Sequence, residues 1–338
     1  MTDYRCWPKI DLHRHLEGAV RLSTARELAL AAGLDLPYED EAAFAAAFTV
    51  CPNDAHTLKQ FLTKFVWLRQ LITGPEALER LCFEAAVDAA VDGVVYLELR
   101  FNYIHLARRG LSDAAVIEAL ESGARRAKAA QGITVGYICG IARDMPAQEA
   151  DNAVDFVIAN AHRGVCAIDL MNDEQYGPEL FQSQYARAKA AGLHRTVHAG
   201  EAAGPESIAK AVTLLDAQRI GHGARIFRDD GRAARLVREG NVLVECCPTS
   251  NLQTGAVASL AEHPLPRLRQ TGMAACLCTD DPGVSTINLS GEYAVAADRM
   301  GMARADLRTM LEEAVGHIFL DAEKPALKQK IADYFEEA

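Results

Sequence analysis

The chain has 338 residues, half of them hydrophobic, enough to bury a large core either as two average domains or as one barrel. Its formal net charge of −11, with no basic block, argues against electrostatic capture of nucleic acid or of an acidic membrane surface, but not against a small neutral substrate. No apolar run is long enough to span a bilayer, the N-terminus is polar before Cys6 and Trp7, and the nine cysteines include no CxxC pair; these features predict a protein of the reducing cytoplasm without a disulfide framework.

The first strand-like run is Ile10–His15. It carries His13 and His15, two residues apart, and such residues project from the same side of a strand. Residues 20–75 follow as a long, largely helical insertion. Within it Leu58, Phe61, Leu62 and Phe65 share one helical face, which either packs on the rest of the fold or forms a hydrophobic lid over a substrate. The lid reading makes Phe61 and Phe65 candidate substrate contacts.

Seven more apolar runs come next: Val94–Phe101, Ile133–Gly140, Val165–Met171, Leu193–Ala199, Arg219–His222, Val242–Cys247 and Ala274–Thr279. Between most of them lie stretches of helical period: Pro75–Asp92, Asp113–Gln131, Ala147–Ala161, Pro178–Gly192, Gly204–Gln218 and Asp229–Gly240. Strand alternating with helix implies a parallel sheet, and eight repeats imply an α/β fold of the (β/α)8 TIM barrel type, with active-site groups at the C-terminal ends of its strands. The expected organisation is a single barrel domain over 1–338 with a helical lid insertion after the first strand. The C-terminal stretch 302–338 is helical and charged.

Candidate ligands sit where that topology requires them. His198-Ala199-Gly200-Glu201 ends the fifth run, Gly221-His222-Gly223 the sixth, and Thr279-Asp280-Asp281-Pro282 the eighth. Convergence of the ends of strands one, five and eight would assemble His13, His15, His198 and Asp280 into a His/His/His/Asp metal site, with His222 of strand six beside it. Asp11 lies deeper in the first strand and is read as structural.

Five motifs in order resemble the adenosine deaminase family of the amidohydrolase superfamily, from Pro8 to about Lys330. They are His13-Arg14-His15-Leu16-Glu17-Gly18, His198-Ala199-Gly200-Glu201-Ala202-Ala203-Gly204-Pro205-Glu206, Arg219-Ile220-Gly221-His222-Gly223, Cys247-Pro248-Thr249-Ser250-Asn251-Leu252-Gln253-Thr254 and Cys278-Thr279-Asp280-Asp281-Pro282-Gly283-Val284. The resemblance implies one Zn²⁺ per subunit on His13, His15, His198 and Asp280. Three imidazoles and a carboxylate suit zinc, a position remains for water, and the metal lowers the pKa of that water towards ~7. The resemblance further implies that Glu201 protonates purine N1 while C6 is attacked. His222 and Asp280 orient or deprotonate the water, and Asp281 hydrogen-bonds N7. Substrate contacts then fall to His15, Glu17, Asn172, Asp281, Phe61 and Phe65. The fourth run, Val165–Met171, has no lysine to bridge a second metal, which favours one metal and deamination over phosphoester or cyclic-amide hydrolysis. The H-x-E and P-C-x-x-C pattern of deaminases acting on nucleic-acid bases is absent.

Two positions depart from the adenosine pattern. Glu17 stands where adenosine deaminases carry Asp at the ribose 5′-hydroxyl, and Asn172 stands where they carry Gly near purine N3. The run Phe101-Asn102-Tyr103-Ile104-His105 also replaces the usual Ser-Pro. The expected partner is a small-molecule purine nucleoside or base, and the sequence specifies no oligomeric state. Adenosine or 2′-deoxyadenosine ranks first. A 5′-substituted nucleoside such as 6-amino-6-deoxyfutalosine of menaquinone synthesis follows, then adenine. A catalytically silent nucleoside-binding protein would be marked by loss of Glu201 or of a ligand, and none is lost.

Overall fold

The computed structural model describes residues 3–337. Eight parallel strands run in sequential order: β1 (Lys9–His15), β2 (Val94–Phe101), β3 (Thr134–Ala142), β4 (Val165–Met171), β5 (His194–Ala199), β6 (Arg219–His222), β7 (Leu243–Cys246) and β8 (Ala275–Leu277). Each is buried along nearly its whole length, as a parallel sheet covered on both faces requires. The sheet closes beyond the end of β8, where Arg14 bridges Asp280. The Asp280 N–H donates to His13 O at 2.7 Å and the His15 N–H donates to Asp280 O at 2.8 Å. Helices follow each strand, including Pro75–Val91, Asp113–Gln131, Ala147–Asn160, Gln182–Ala190, Pro205–Leu215, Arg232–Glu239, Leu265–Gln270 and Arg304–Gly316. The result is the (β/α)8 TIM barrel that the alternation implies.

Element ends follow local chemistry. The helix Asp113–Gln131 opens on Ser112, whose Oγ accepts the Ala115 N–H, and closes on Gly132 at φ 74°, a conformation that costs glycine nothing. The expected single helix over Pro178–Gly192 is instead a 3₁₀ turn, Pro178–Phe181, followed by Gln182–Ala190. A further short helix, Tyr103–Arg108, begins directly after β2 with Asn102 as its N-cap.

The insertion holds four short helices, Leu22–Ala31, Glu41–Phe48, Leu58–Leu62 and Phe65–Leu68. The continuous helical face expected from Leu58 to Phe65 is therefore interrupted. At the break, the N–H groups of Thr63, Lys64, Val66 and Trp67 reach back three residues rather than four. The Lys64 ammonium is drawn aside to Ala46 O at 2.8 Å and to the Asp54 carboxylate at 2.9 Å.

The barrel interior is polar at one level. Glu98 and Arg100 of β2, Asp169 of β4, Arg219 of β6 and Glu245 of β7 are fully buried. Arg100 joins Asp169 at 2.7 Å and Glu245 at 2.6 Å, and Arg219 joins Glu245 at 2.7 Å and Glu98 at 2.5 Å. Burial disfavours the charges of Asp169 and Glu245, yet His198 and Arg100 hold Asp169, and Arg100 and Arg219 hold Glu245, well below the ordinary carboxylate range. This layer is the floor on which the histidines stand.

Candidate active site

The strand ends converge as the topology requires. One ligand atom from each of His13, His15, His198 and Asp280 lies within 4.8 Å of the others. His15 Nε2 is 3.2 Å from His198 Nε2, and Asp280 Oδ1 is 3.3 Å from both His13 Nε2 and His15 Nε2. β1 reaches this arrangement through a bulge. Its register against β2 slips between Asp11 and Arg14, so Asp11 leaves the face of the two histidines. Its carboxylate accepts from Thr279 Oγ1 at 2.6 Å and pairs with Arg14 at 3.0 Å, tying β1 to the end of β8.

Residues outside the cluster orient it. Glu245 Oε2 lies 2.7 Å from His13 Nδ1, and Asp169 Oδ2 lies 3.0 Å from His198 Nδ1. Each carboxylate fixes the proton on Nδ1 and leaves the Nε2 lone pair for a cation. His13 Nε2 is buried without a hydrogen-bond partner, since Asp280 is near but not aligned. Ser250 Oγ donates to Asp280 Oδ2 at 2.7 Å, leaving Oδ1 facing the imidazoles. Three aimed nitrogens and one carboxylate oxygen fit a zinc ion. A second group, His222, Cys247 and Asp280, also lies within 4.8 Å. Burial and nearby Asp280 push its thiol well above the usual range, so Cys247 stays a neutral thiol and fits a metal poorly.

Protonation follows from burial. His198 is pushed down to about 3, mainly by desolvation, and so carries no charge. Burial raises Asp280, but the imidazoles of His13 and His15 beside its carboxylate outweigh it and hold Asp280 well below the ordinary range. Asp281, next to it, is raised well above that range by burial and by the Asp280 charge. Its Oδ1 is buried without a partner. Burial also raises Glu201, whose Oε2 lies 3.6 Å from His222 Nε2.

His222 is set by a chain of hydrogen bonds. The Leu265 N–H donates to His263 Nδ1 at 3.2 Å, so the His263 proton is on Nε2 and is donated to Asn251 Oδ1 at 3.0 Å. Asn251 Nδ2 then donates to His222 Nδ1 at 2.9 Å. The network thus assigns the proton of neutral His222 to Nε2, on the side of Glu201. His222 and Asp280 both take left-handed backbone conformations, φ 64° and 61°, and so does Asn172 at φ 73°. Asparagine accepts this conformation with little cost. For His222 and Asp280 the strain is on the order of 1–3 kcal/mol each, stored where the chain turns at the strand ends.

The loop carrying Glu201 is held by Glu174, a residue the sequence motifs do not include. Its carboxylate accepts the N–H groups of Gly200, Glu201, Ala202 and Ala203 at 2.5–2.9 Å and the Ser207 hydroxyl at 2.7 Å. Asp169, Glu245, Arg100 and His263 were equally outside the motifs, and Asn251 stands inside one without an assigned role. For the first three a signal exists: a charged residue inside an apolar strand run must be paired when buried.

A cavity opens above the cluster. His15, His198, Asp280, Glu201, His222, Asp281, Glu17, Asn172, Phe61 and Phe65 all line it, while His13 lies beneath, fully buried. Leu58 and Leu62 join the two phenylalanines in its apolar wall. Arg69, Asn102 and Met171 complete the lining.

Comparison with known proteins gives a consistent picture. The sequence model of the family described as "Adenosine deaminase" matches residues 8–335. An adenosine deaminase of Escherichia coli O157:H7 (strain EC4115 / EHEC) is 37% identical over 329 residues, which cover 96% of this chain and 98% of that protein. Among solved structures, an amidohydrolase of Burkholderia ambifaria with bound Zn has a TM-score of 0.88 at 29% identity, covering 99% of this chain and 92% of that one. Arabidopsis ADAL complexed with IMP has a TM-score of 0.87 at 29% identity, covering 100% and 99%.

Proposed function

The chain belongs to the adenosine deaminase family, and from that premise we propose that this hydrolase deaminates a 6-aminopurine nucleoside, adenosine or 2′-deoxyadenosine, to inosine or 2′-deoxyinosine and ammonia. The observation that carries the reading is that a single cavity is lined by members of the His/His/His/Asp group, by Glu201, by His222 and by Asp281.

One zinc ion, held by His13, His15, His198 and Asp280, would acidify a water and so supply the nucleophile at neutral pH. The protein's own groups do the rest. Glu201, whose acid form burial favours, donates a proton to N1 as the water oxygen bonds to C6. His222, with its proton on Nε2, orients that water, and the ionised Asp280 beside it accepts a proton. Of the two water protons, one ends on the departing ammonia and one restores Glu201. Asp281, protonated, donates to N7. Phe61 and Phe65 exclude solvent above the purine, and Glu17 and Asn172 face the sugar.

A nucleoside enlarged at the 5′ position, such as 6-amino-6-deoxyfutalosine, is the second reading. It is favoured by Glu17, one methylene longer than the aspartate of adenosine deaminases, and by the IMP held in the similar ADAL fold. Ammonia release by the zinc-loaded protein, compared as kcat/KM on adenosine, 2′-deoxyadenosine, adenine and 6-amino-6-deoxyfutalosine, decides between them. Release from none of the four, nor from adenosine 5′-phosphate, would overturn the deaminase reading.

A further inference from the structure

The cavity lining holds polar groups that the proposed reaction does not use. Arg69 follows the helix Phe65–Leu68, and its guanidinium lies 5.7 Å from the centre of the Phe65 ring. It is half-buried and lines the cavity. Among the described residues its side chain has no hydrogen-bond or ion-pair partner. Burial lowers its pKa; Glu17, Asp144 and Asp281 are near enough to offset part of that, but none is within pairing distance. A guanidinium taken partly out of water without a partner is a cost to the fold.

Asn102 lines the same wall and is 2% exposed. Its Oδ1 accepts the His105 N–H at 3.2 Å, which makes the amide nitrogen the free end. That Nδ2 is buried without a partner, and so is His105 Nε2 behind it. His105 is pushed down to about 4 by burial and by Arg69, so it stays neutral. The wall thus offers one positive charge and a buried donor without hydrogen-bond partners of their own, and the Glu17 and Asp281 carboxylates of the same cavity lie beyond pairing distance of Arg69.

We infer that Arg69 and Asn102 form an anion subsite that takes a carboxylate or phosphate carried on the 5′ position of the nucleoside. The placement at the 5′ end rests on the deaminase reading, in which Glu17 faces that end of the sugar. Arg69 and Glu17 line the same cavity, and the Glu17 charge is felt at Arg69. A neutral 5′-hydroxyl meets neither the charge nor the forked donor geometry of a guanidinium, whereas a carboxylate or phosphate meets both. The Asn102 amide adds a second direction of approach.

The test is binding of three deaminated products to the zinc-loaded protein: inosine, inosine 5′-phosphate and inosine-5′-carboxylate. At least one acid should bind about tenfold to a hundredfold more tightly than inosine, the range of one charge-assisted contact. The acid with the larger preference identifies the natural group. Arg69→Gln should remove most of that preference, Arg69→Lys should keep part of it, and Asn102→Ala should reduce it. Equal or weaker binding of both acids would overturn the subsite, since Arg69 would then only balance Glu17. A preference that survives Arg69→Gln would also overturn it. Ammonia release from adenosine on the same sample tests the other reading separately. Turnover without acid preference removes the subsite alone; acid preference without turnover of any 6-aminopurine removes the deaminase reading and leaves the subsite.

Discussion

The Glu201 backbone N–H donates to the Glu174 carboxylate at 2.9 Å, so the proposed proton donor is held in place by a residue of the neighbouring strand-to-helix loop. Three adjacent N–H groups and the Ser207 hydroxyl share that carboxylate. The loop is a nest of amides built around an internal anion. Glu174→Gln replaces it with a neutral group that has one accepting oxygen. The expected result is a fall in kcat of about 10²-fold, the scale of a small misplacement of a reacting group, with zinc content unchanged. An unchanged kcat would remove Glu174 from this role.

Glu201→Gln keeps the shape of the carboxyl but cannot protonate N1. Zinc content should match the parent and turnover should be nearly abolished. His15→Ala, by contrast, should lose metal and activity together. Metal analysis alongside ammonia release distinguishes the two, and a metal-loaded, fully active His15→Ala protein would exclude His15 as a ligand.

Asp169 and Glu245 reach the metal site only through His198 and His13. Asp169→Asn should weaken zinc binding about 10–100-fold, measured by competition with a chelator. It also leaves Arg100 short of a buried partner. Urea unfolding should therefore show a loss of about 3–5 kcal/mol. Zinc affinity and stability that both match the parent would refute the assignment.

Much of the site was legible in the sequence because metal chemistry needs particular residues and strands display them at period two. His13, His15, His198 and Asp280 fall at the ends of apolar runs, and the eight runs gave the barrel. The bulge in β1 was not legible, because a register slip depends on the partner strand. The break between Leu58–Leu62 and Phe65–Leu68 was hidden for a similar reason: the pull on Lys64 comes from Ala46 and Asp54, outside any local period. Glu174 and His263 act through contacts between segments far apart in the chain that no spacing encodes.

Gly18 is required by space rather than by conformation. A Cβ there would overlap the Asp281 carboxyl group. Gly18→Ala should displace Asp281 and lower kcat/KM, while zinc content stays constant because Asp281 is not one of the four ligands. A variant with parental kcat/KM would show that Asp281 does not contact the substrate.

His263 gives a pH dependence with a defined sign. Its folded pKa is pushed down to about 3 by burial, against about 6.5 when unfolded. Only the unfolded chain binds this proton between those values. The stability it contributes is therefore fully present above about pH 6.5 and is lost as pH falls towards 3, by about 1.4 kcal/mol per pH unit. Urea midpoints between pH 6.5 and 4.5 should fall less steeply for His263→Gln than for the parent. An unchanged slope would mean that His263 is protonated in the native protein.

The seam where Arg14 meets Asp280 gives the chain an order of events. His13 and His15 leave the ribosome well before Asp280, which follows the last strand. The His/His/His/Asp group comes together only when the last strand docks against the first. Its completion is a late step, and a chain cut short before β8 would carry the histidines with neither the aspartate nor the closed ring that presents it.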